Sequence, residues 1–73
     1  MDQFAAIRLA VQIHGGEAQL AHALGISRQA VHGWVHGDRR IPAERCPQIE
    51  RLTAGLVRAE ELRPDVEWDV LRT

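Results

Sequence analysis

The stretch from Glu17 to His36 constrains the fold of this chain more than any other part of its sequence. It reads EAQLAHALGISRQAVHGWVH, which is typical of two short amphipathic helices joined by a tight turn at 25–27. Its apolar residues recur where a helix-turn-helix buries the contact between its two helices. These residues are Ala21, Leu24, Ile26, Val31 and Trp34. The pattern predicts an all-α domain built around a helix-turn-helix at 17–36.

Caps and glycines divide the rest of the chain into further short helices. Asp2 can cap a first helix from Gln3 to His14, in which Phe4, Ile7 and Val11 fall on one face. Glycines and prolines then separate the later elements. The other predicted elements are helices at Glu17 to Leu24, Arg28 to Val35 or His36, and 46–53, short turns at 42–45 and 59–62, and a last turn capped by Asp65.

The length of 73 residues predicts one domain, 1–73, with a C-terminal tail at 56–73. A chain of this size buries only about 60% of its unfolded surface, so its core is small. Its one cysteine, Cys46, cannot form a disulfide within the chain, which suits a reducing cytoplasm. No apolar run approaches the length of a membrane span, so we expect no membrane association.

The distribution of charge is more informative than its sum. The formal net charge of −1 does not by itself indicate binding to nucleic acid. Four arginines stand against two acids between residues 28 and 45, whereas five acids stand against one arginine between 60 and 69. The middle segment can therefore carry a positive face while an acidic tail offsets the total.

Three polar residues stand where the second helix of a helix-turn-helix meets base edges, namely Arg28, Gln29 and His32. Arginine pairs with O6 and N7 of guanine, and glutamine pairs with N6 and N7 of adenine. We therefore predict that these residues read bases in the major groove. The alternative is an ordinary solvated helix face, which the apolar pattern around the turn makes the weaker interpretation.

A second group of residues is predicted to hold the DNA backbone on either side of the second helix. The N-terminus of that helix offers N–H groups and a positive dipole end to a phosphate. Such contacts fix the position of a protein on DNA without reading sequence. Gly33 indicates a close approach of the helix backbone, either to the preceding helix or to DNA. The predicted backbone-contacting residues are Gln19, Ser27, His36, Arg39 and Arg40.

The pattern predicts neither a metal site nor a catalytic site. His32 and His36 have the i, i+4 spacing of a helical zinc pair, but the spacing supplies no third ligand. We interpret these histidines as groove-facing and phosphate-facing residues. Cys46 stands in no nucleophile–base grouping, so we predict that it is a small packing residue. We therefore expect no cofactor and no enzyme activity.

Trp68 in the acidic tail leaves two alternatives open. A tryptophan is rarely exposed without a binding role, because its large apolar ring favours burial. The side chain either folds back onto the core of its own chain or packs against a second subunit. The sequence does not distinguish between these arrangements.

Two segments that follow the helix-turn-helix carry a more specific resemblance. They read RIPAERCPQIER at 40–51 and ELRPDVEW at 61–68. Together with the helix-turn-helix they resemble the YdaS-type antitoxin family, also described as Cro-like prophage regulators, within the lambda-repressor-like helix-turn-helix superfamily. The resemblance covers residues 5–72. One departure stands out: the superfamily commonly opens its second helix with a phosphate-holding glutamine, whereas Glu17 stands nearest that position here and Gln19 follows two residues later.

The resemblance implies a compact domain of four to five helices that binds double-stranded DNA, commonly as a homodimer on a palindromic operator. It further implies a bacterial cytoplasmic protein associated with the nucleoid, and a role as a sequence-specific transcriptional regulator, specifically a Cro-like repressor. Two alternatives remain open. One is an antitoxin that also autoregulates and binds a toxin through its acidic tail. The other is a helical protein-interaction module without DNA binding, which the net charge favours.

Overall fold

The computed structural model describes residues 2–71, and the regular elements in that range are all helical. The four longer helices are α1 (Gln3–His14), α2 (Glu17–Leu24), α3 (Arg28–His36) and α4 (Cys46–Leu52), and two single-turn helices follow, α5 (Ala59–Leu62) and α6 (Trp68–Leu71). A 3-10 turn at Ala43–Arg45 precedes α4. The all-α class and the predicted bounds of the first three helices are confirmed. Within the described range no helix is long and apolar enough to cross a membrane.

The first helix begins where its cap predicts, but it buries a different face from the predicted one. The Asp2 side chain accepts a hydrogen bond from the Ala5 N–H at 2.7 Å. The buried residues of α1 are Ala6, Ile7 and Ala10. Phe4 is instead 39% exposed, so the predicted Phe4, Ile7 and Val11 face is wrong at its first position. The two alanines explain the shift, because their small side chains let α1 pack closely against both α2 and α3.

The core lies between α1, α2 and α3 and continues under α4 and α5. Leu20 and Ala21 of α2 and Val31 and Trp34 of α3 are all buried in one hydrophobic cluster. Cys46, predicted as a packing residue, is fully buried and its thiol donates weakly to the Pro42 carbonyl at 3.6 Å. The side chains that are less than 2% exposed include Ile7, Leu20, Val31, Cys46, Ile49, Thr53, Val57 and Leu62.

Trp68 packs within its own chain, which settles the alternative that the sequence left open. Its side chain is 6% exposed, and its indole N–H donates to the Arg63 carbonyl oxygen at 2.8 Å. The acidic tail is thus folded onto the core. The tryptophan is not available as an exposed anchor for another protein.

Arg63 fastens the tail to the loop that follows α3. Its guanidinium donates to the Ile41 carbonyl oxygen at 2.7 Å and to both carboxylate oxygens of Asp65 at 2.8 Å. The prediction that Asp65 caps the last helical turn is wrong, because its carboxylate is held by this arginine and the last helix begins later, at Trp68.

Asp65→Asn is expected to remove an acid-dependent part of the stability. The hydrogen bond from Arg63 lowers the pKa of the Asp65 carboxyl from its ordinary 3.8 to about 2. Because the pKa of this carboxyl is lower in the folded than in the unfolded state, its ionised form stabilises the fold at pH values above the unfolded-state pKa. That stabilisation is lost as the pH falls toward about 2. Thermal unfolding between pH 5 and pH 2 checks this, with the exposed Asp69→Asn as control. An Asp65→Asn protein whose acid destabilisation equals that of the parent would contradict it.

Candidate nucleic-acid interface

The turn between α2 and α3 fixes the angle at which the second helix leaves the first. Gly25 ends α2 with a φ of 71°, a left-handed conformation that a side chain would disfavour. The Ile26 N–H donates back to the Ala21 carbonyl at 3.0 Å, which closes the C-terminal turn of α2. Ser27 then caps α3, since its hydroxyl oxygen accepts the Ala30 N–H at 3.2 Å. Glycine and serine at these positions therefore produce a rigid helix–turn–helix unit.

The three predicted base-reading residues lie together on the solvent side of α3. Arg28 and Gln29 occupy its first turn, His32 follows one turn later, and all three are exposed. We call this surface the α3 polar face. The opposite side of the same helix buries Val31 and Trp34 in the core. Exposed polar side chains on a firmly anchored helix are what entry into a DNA groove requires.

Glu17 at the start of α2 contacts two members of the α3 polar face. Its carboxylate oxygen Oε1 lies 3.0 Å from Nδ1 of His32 and 3.8 Å from Nε of Arg28. Because a carboxylate oxygen only accepts hydrogen bonds, the His32 Nδ1 is the donor in this contact. Glu17 therefore orients both side chains. Sequence reasoning missed this role, since spacings of 11 and 15 residues carry no local signal.

His36 lies beside His32 rather than pointing separately into solvent. The centroids of the two imidazole rings are 4.1 Å apart, and the ring planes are inclined by 44°. Each of Glu17, His32 and His36 offers one ligand atom, and these atoms all lie within 4.8 Å of one another. Glu17 thus supplies the third potential metal ligand that the i, i+4 spacing of the two histidines did not provide.

The predicted backbone-contacting residues surround the α3 polar face without forming one cluster. Arg39 lies across Gly33, where an added Cβ would come within 3.2 Å of the arginine Cγ. The close neighbour of Gly33 is therefore the Arg39 side chain, and not α2, which was one of the two partners predicted from the sequence. Arg40 is exposed and has its Nη1 3.5 Å from the Asp65 carboxylate.

Two further predicted residues lie near the N-terminal ends of α2 and α3. Ser27 is exposed at the N-terminus of α3, where its hydroxyl hydrogen remains able to donate. Gln19 folds back over the turn before α2, where its Oε1 would lie 2.6 Å from a Cβ added to Gly16. Gly16 supplies no side-chain cap, and the Gln19 side chain lies beside it at the N-terminal end of α2.

The thiol of Cys46 is a weak nucleophile in this fold. Burial raises its pKa to about 11, so it is protonated at neutral pH.

A family profile, sequence relatives and a solved structure all relate this chain to YdaS and Cro proteins. The sequence profile of the family described as "Bacterial toxin YdaS" matches residues 7–71. A protein of Escherichia coli (strain K12) named "Putative transcriptional regulator YdaS" is 51% identical over 63 residues, which cover 86% of this chain and 64% of that protein. The chain therefore spans somewhat less than two thirds of that relative.

Two phage-type regulators are also similar. The regulatory protein cro of Pseudomonas phage D3 is 32% identical over 57 residues, covering 78% of each chain. The solved structure of the Cro protein from the element Xfaso 1 of Xylella fastidiosa strain Ann-1 superposes with a TM-score of 0.77 at 46% identity, covering 84% of this chain and 92% of that one. The similarity thus extends from sequence to three-dimensional fold.

Proposed function

The chain belongs to the family described as bacterial toxin YdaS, and from its named relatives and its helix-turn-helix we propose that it is a sequence-specific, Cro-like transcriptional repressor. Its relatives are named as transcriptional regulators and Cro proteins, which supports a regulatory role. We propose that it acts in the bacterial cytoplasm, on the nucleoid, by inserting α3 into the major groove of operator DNA.

The observation that carries this proposal is the α3 polar face. Arg28 and Gln29 stand at the exposed N-terminal end of a helix whose other side is locked into the core. A helix entering the major groove uses these first-turn positions to meet base edges. We assign guanine recognition to Arg28 and adenine recognition to Gln29, because their donor and acceptor patterns match those bases. His32 contributes from the next turn.

Backbone contacts provide the second part of the proposal. Arg39 and Arg40 follow α3, and Ser27 precedes it, so phosphates on both sides of the groove would have partners. His36 and Gln19 extend this set at the end of α3 and the start of α2. With a net charge of −1, these local contacts rather than a general positive field must supply the electrostatic attraction.

Two copies of the domain would be needed for useful affinity. One reading helix contacts only a few base pairs, whereas specific regulators bind two half-sites about one helical turn apart. We therefore propose a homodimer on a palindromic operator.

A role in a toxin–antitoxin pair is the second candidate, favoured by the word toxin in the family's description. The burial of Trp68 argues against the tail as the site of partner binding, because its largest apolar side chain is already covered by its own chain. An interaction module without DNA binding is the third candidate. It predicts no salt-dependent binding to any duplex.

The test begins by selecting a preferred duplex from a randomised library with the whole chain. Its affinity and that of a scrambled duplex are then measured over a range of salt concentrations. We expect the preferred duplex to bind tighter by about 10³-fold or more, with log affinity falling linearly against log salt. Equal affinities, or affinity that does not depend on salt, would refute the proposal.

Arg39→Ala and Arg40→Ala test the backbone contacts. Each is expected to weaken binding to preferred and scrambled duplexes alike, and to reduce the salt slope by about 1. Arg58→Ala is the matched control, since this arginine precedes α5, which packs on α1 and α4 away from the α3 polar face. A control that lowers the slope as much as the other two variants would count against the assignment.

A further inference from the structure

The surface between α2 and α3 brings together three side chains that are metal ligands in other proteins. Glu17 comes from the first turn of α2, and His32 and His36 come from successive turns of α3. Their ligand atoms converge to within 4.8 Å of one another. Nothing in the proposed recognition of DNA requires this convergence of all three groups.

The geometry is close to that of a transition-metal site. Two ligands bound about 2.0–2.1 Å from a tetrahedral zinc ion lie roughly 3.3 Å apart. The His32 nitrogen and the Glu17 oxygen are already 3.0 Å apart. The centroids of the His32 and His36 rings are 4.1 Å apart, so a rotation of the exposed His36 side chain would be needed to bring the third ligand to that spacing.

The backbone positions of the three ligands are held by the core. Leu20 and Ala21 of α2 pack with Val31 and Trp34 of α3, and all four are buried. The packing of α2 against α3 therefore holds the segments that carry the ligands side by side. A site assembled on such a frame loses little entropy on binding, because only the side chains need to be ordered.

A simple ion pair explains only part of the arrangement. The contact between Glu17 and His32 is a hydrogen bond that needs no metal. The i, i+4 spacing on α3 places the second imidazole beside the first, and the Glu17 carboxylate then adds a third ligand atom within 4.8 Å of both. The arrangement therefore offers two imidazole nitrogens and one carboxylate oxygen to a single cation.

We propose that Glu17, His32 and His36 bind one divalent transition-metal ion, such as Zn²⁺, on the exposed surface shared by α2 and α3. Two imidazole nitrogens and one carboxylate oxygen form a ligand set suited to Zn²⁺, Ni²⁺ or Cu²⁺ and poorly suited to Mg²⁺. Water fills the remaining coordination position. The site depends on the folded helix pair and not on the DNA-binding proposal.

The experiment titrates the untagged full chain with Zn²⁺ by calorimetry, and with Co²⁺ while its visible absorption is recorded. We expect saturable binding of one ion per chain, unaffected by a large excess of Mg²⁺. Histidine ring resonances in nuclear magnetic resonance spectra should shift for His32 and His36 and remain unchanged for His14 and His22. Failure to saturate, or shifts at the other two histidines instead, would overturn the proposal.

Single substitutions test whether Glu17, His32 and His36 are the ligands of the bound ion. Glu17→Gln, His32→Ala and His36→Ala are each expected to weaken Zn²⁺ binding at least about tenfold, the lower limit seen even for residues that only support metal ligands. His22→Ala is the matched control, because His22 is exposed on α2 and outside the cluster. Amide spectra verify that each variant is folded. Equal losses in the control and in His36→Ala would overturn the site.

Discussion

The double substitution of Arg28→Ala with Gln29→Ala is expected to abolish most of the discrimination between preferred and scrambled duplexes. Each bidentate contact to a base contributes about 1–3 kcal/mol of discrimination. Removing both contacts should therefore lower the ratio of the affinities for the preferred and scrambled duplexes by roughly thirtyfold to twenty-thousandfold. Both side chains are exposed, so the fold should remain intact. The measurement is the affinity of the variant for both duplexes at one fixed salt concentration.

The matched control removes the same residue types from another exposed helix surface. Arg8 and Gln12 are exposed on α1 and lie one turn apart. Arg8→Ala with Gln12→Ala carries the same change in charge, so it separates loss of base reading from loss of a positive charge. If this control reduces the affinity ratio as much as the α3 variant does, α3 is not the reading helix.

Trp34→Ala is expected to bring the domain close to unfolding. Trp34 is 4% exposed and lies on the inward side of α3. Removing a buried tryptophan side chain costs about 3–5 kcal/mol. A domain of 73 residues has a total free energy of unfolding of only about 4–11 kcal/mol. Urea unfolding followed by circular dichroism should show a strongly lowered midpoint or no cooperative transition.

Two comparisons make the Trp34 result interpretable. Trp34→Phe retains an aromatic ring in the same space and should lose clearly less stability than Trp34→Ala. Leu56→Ala removes a side chain that is 66% exposed, so its effect should stay within about 0.5 kcal/mol. A Trp34→Ala protein that unfolds at the parent's urea concentration would mean that this tryptophan does not anchor α3.

Local signals were sufficient to predict the helices. Asp2, Ser27 and the glycines at 15, 25 and 37 act on their immediate neighbours, and each helix end lies where these residues predict it. Periodicity also identified the buried side of α3. It was wrong for Phe4 on α1, because which apolar side chain becomes buried depends on how closely the neighbouring helices approach.

Contacts between distant parts of the chain could not be predicted in the same way. Asp65 fits a helix cap by local rules, yet Arg63 holds its carboxylate while also reaching the Ile41 carbonyl. From the sequence, Trp68 could pack either on its own chain or on a second subunit. In the structure it packs on its own chain, where its indole N–H donates to the Arg63 carbonyl oxygen. Glu17 likewise joins His32 only because α2 and α3 lie side by side. The positions of the predicted base-reading residues could be derived from the periodicity of α3 alone. The contacts of Glu17 with His32 and Arg28 could not, because they depend on how α2 packs against α3.

Purine analogues that lack the N7 acceptor test most directly whether α3 reads the major-groove edges of bases. Such analogues alter the major groove and leave the phosphates and the minor groove unchanged. Each purine of the preferred duplex is replaced in turn, and its affinity is measured for the parent and for Arg28→Ala with Gln29→Ala. We expect particular replacements to weaken the parent about tenfold while leaving the variant unaffected. Replacements that weaken neither protein, or both equally, would contradict base reading by α3.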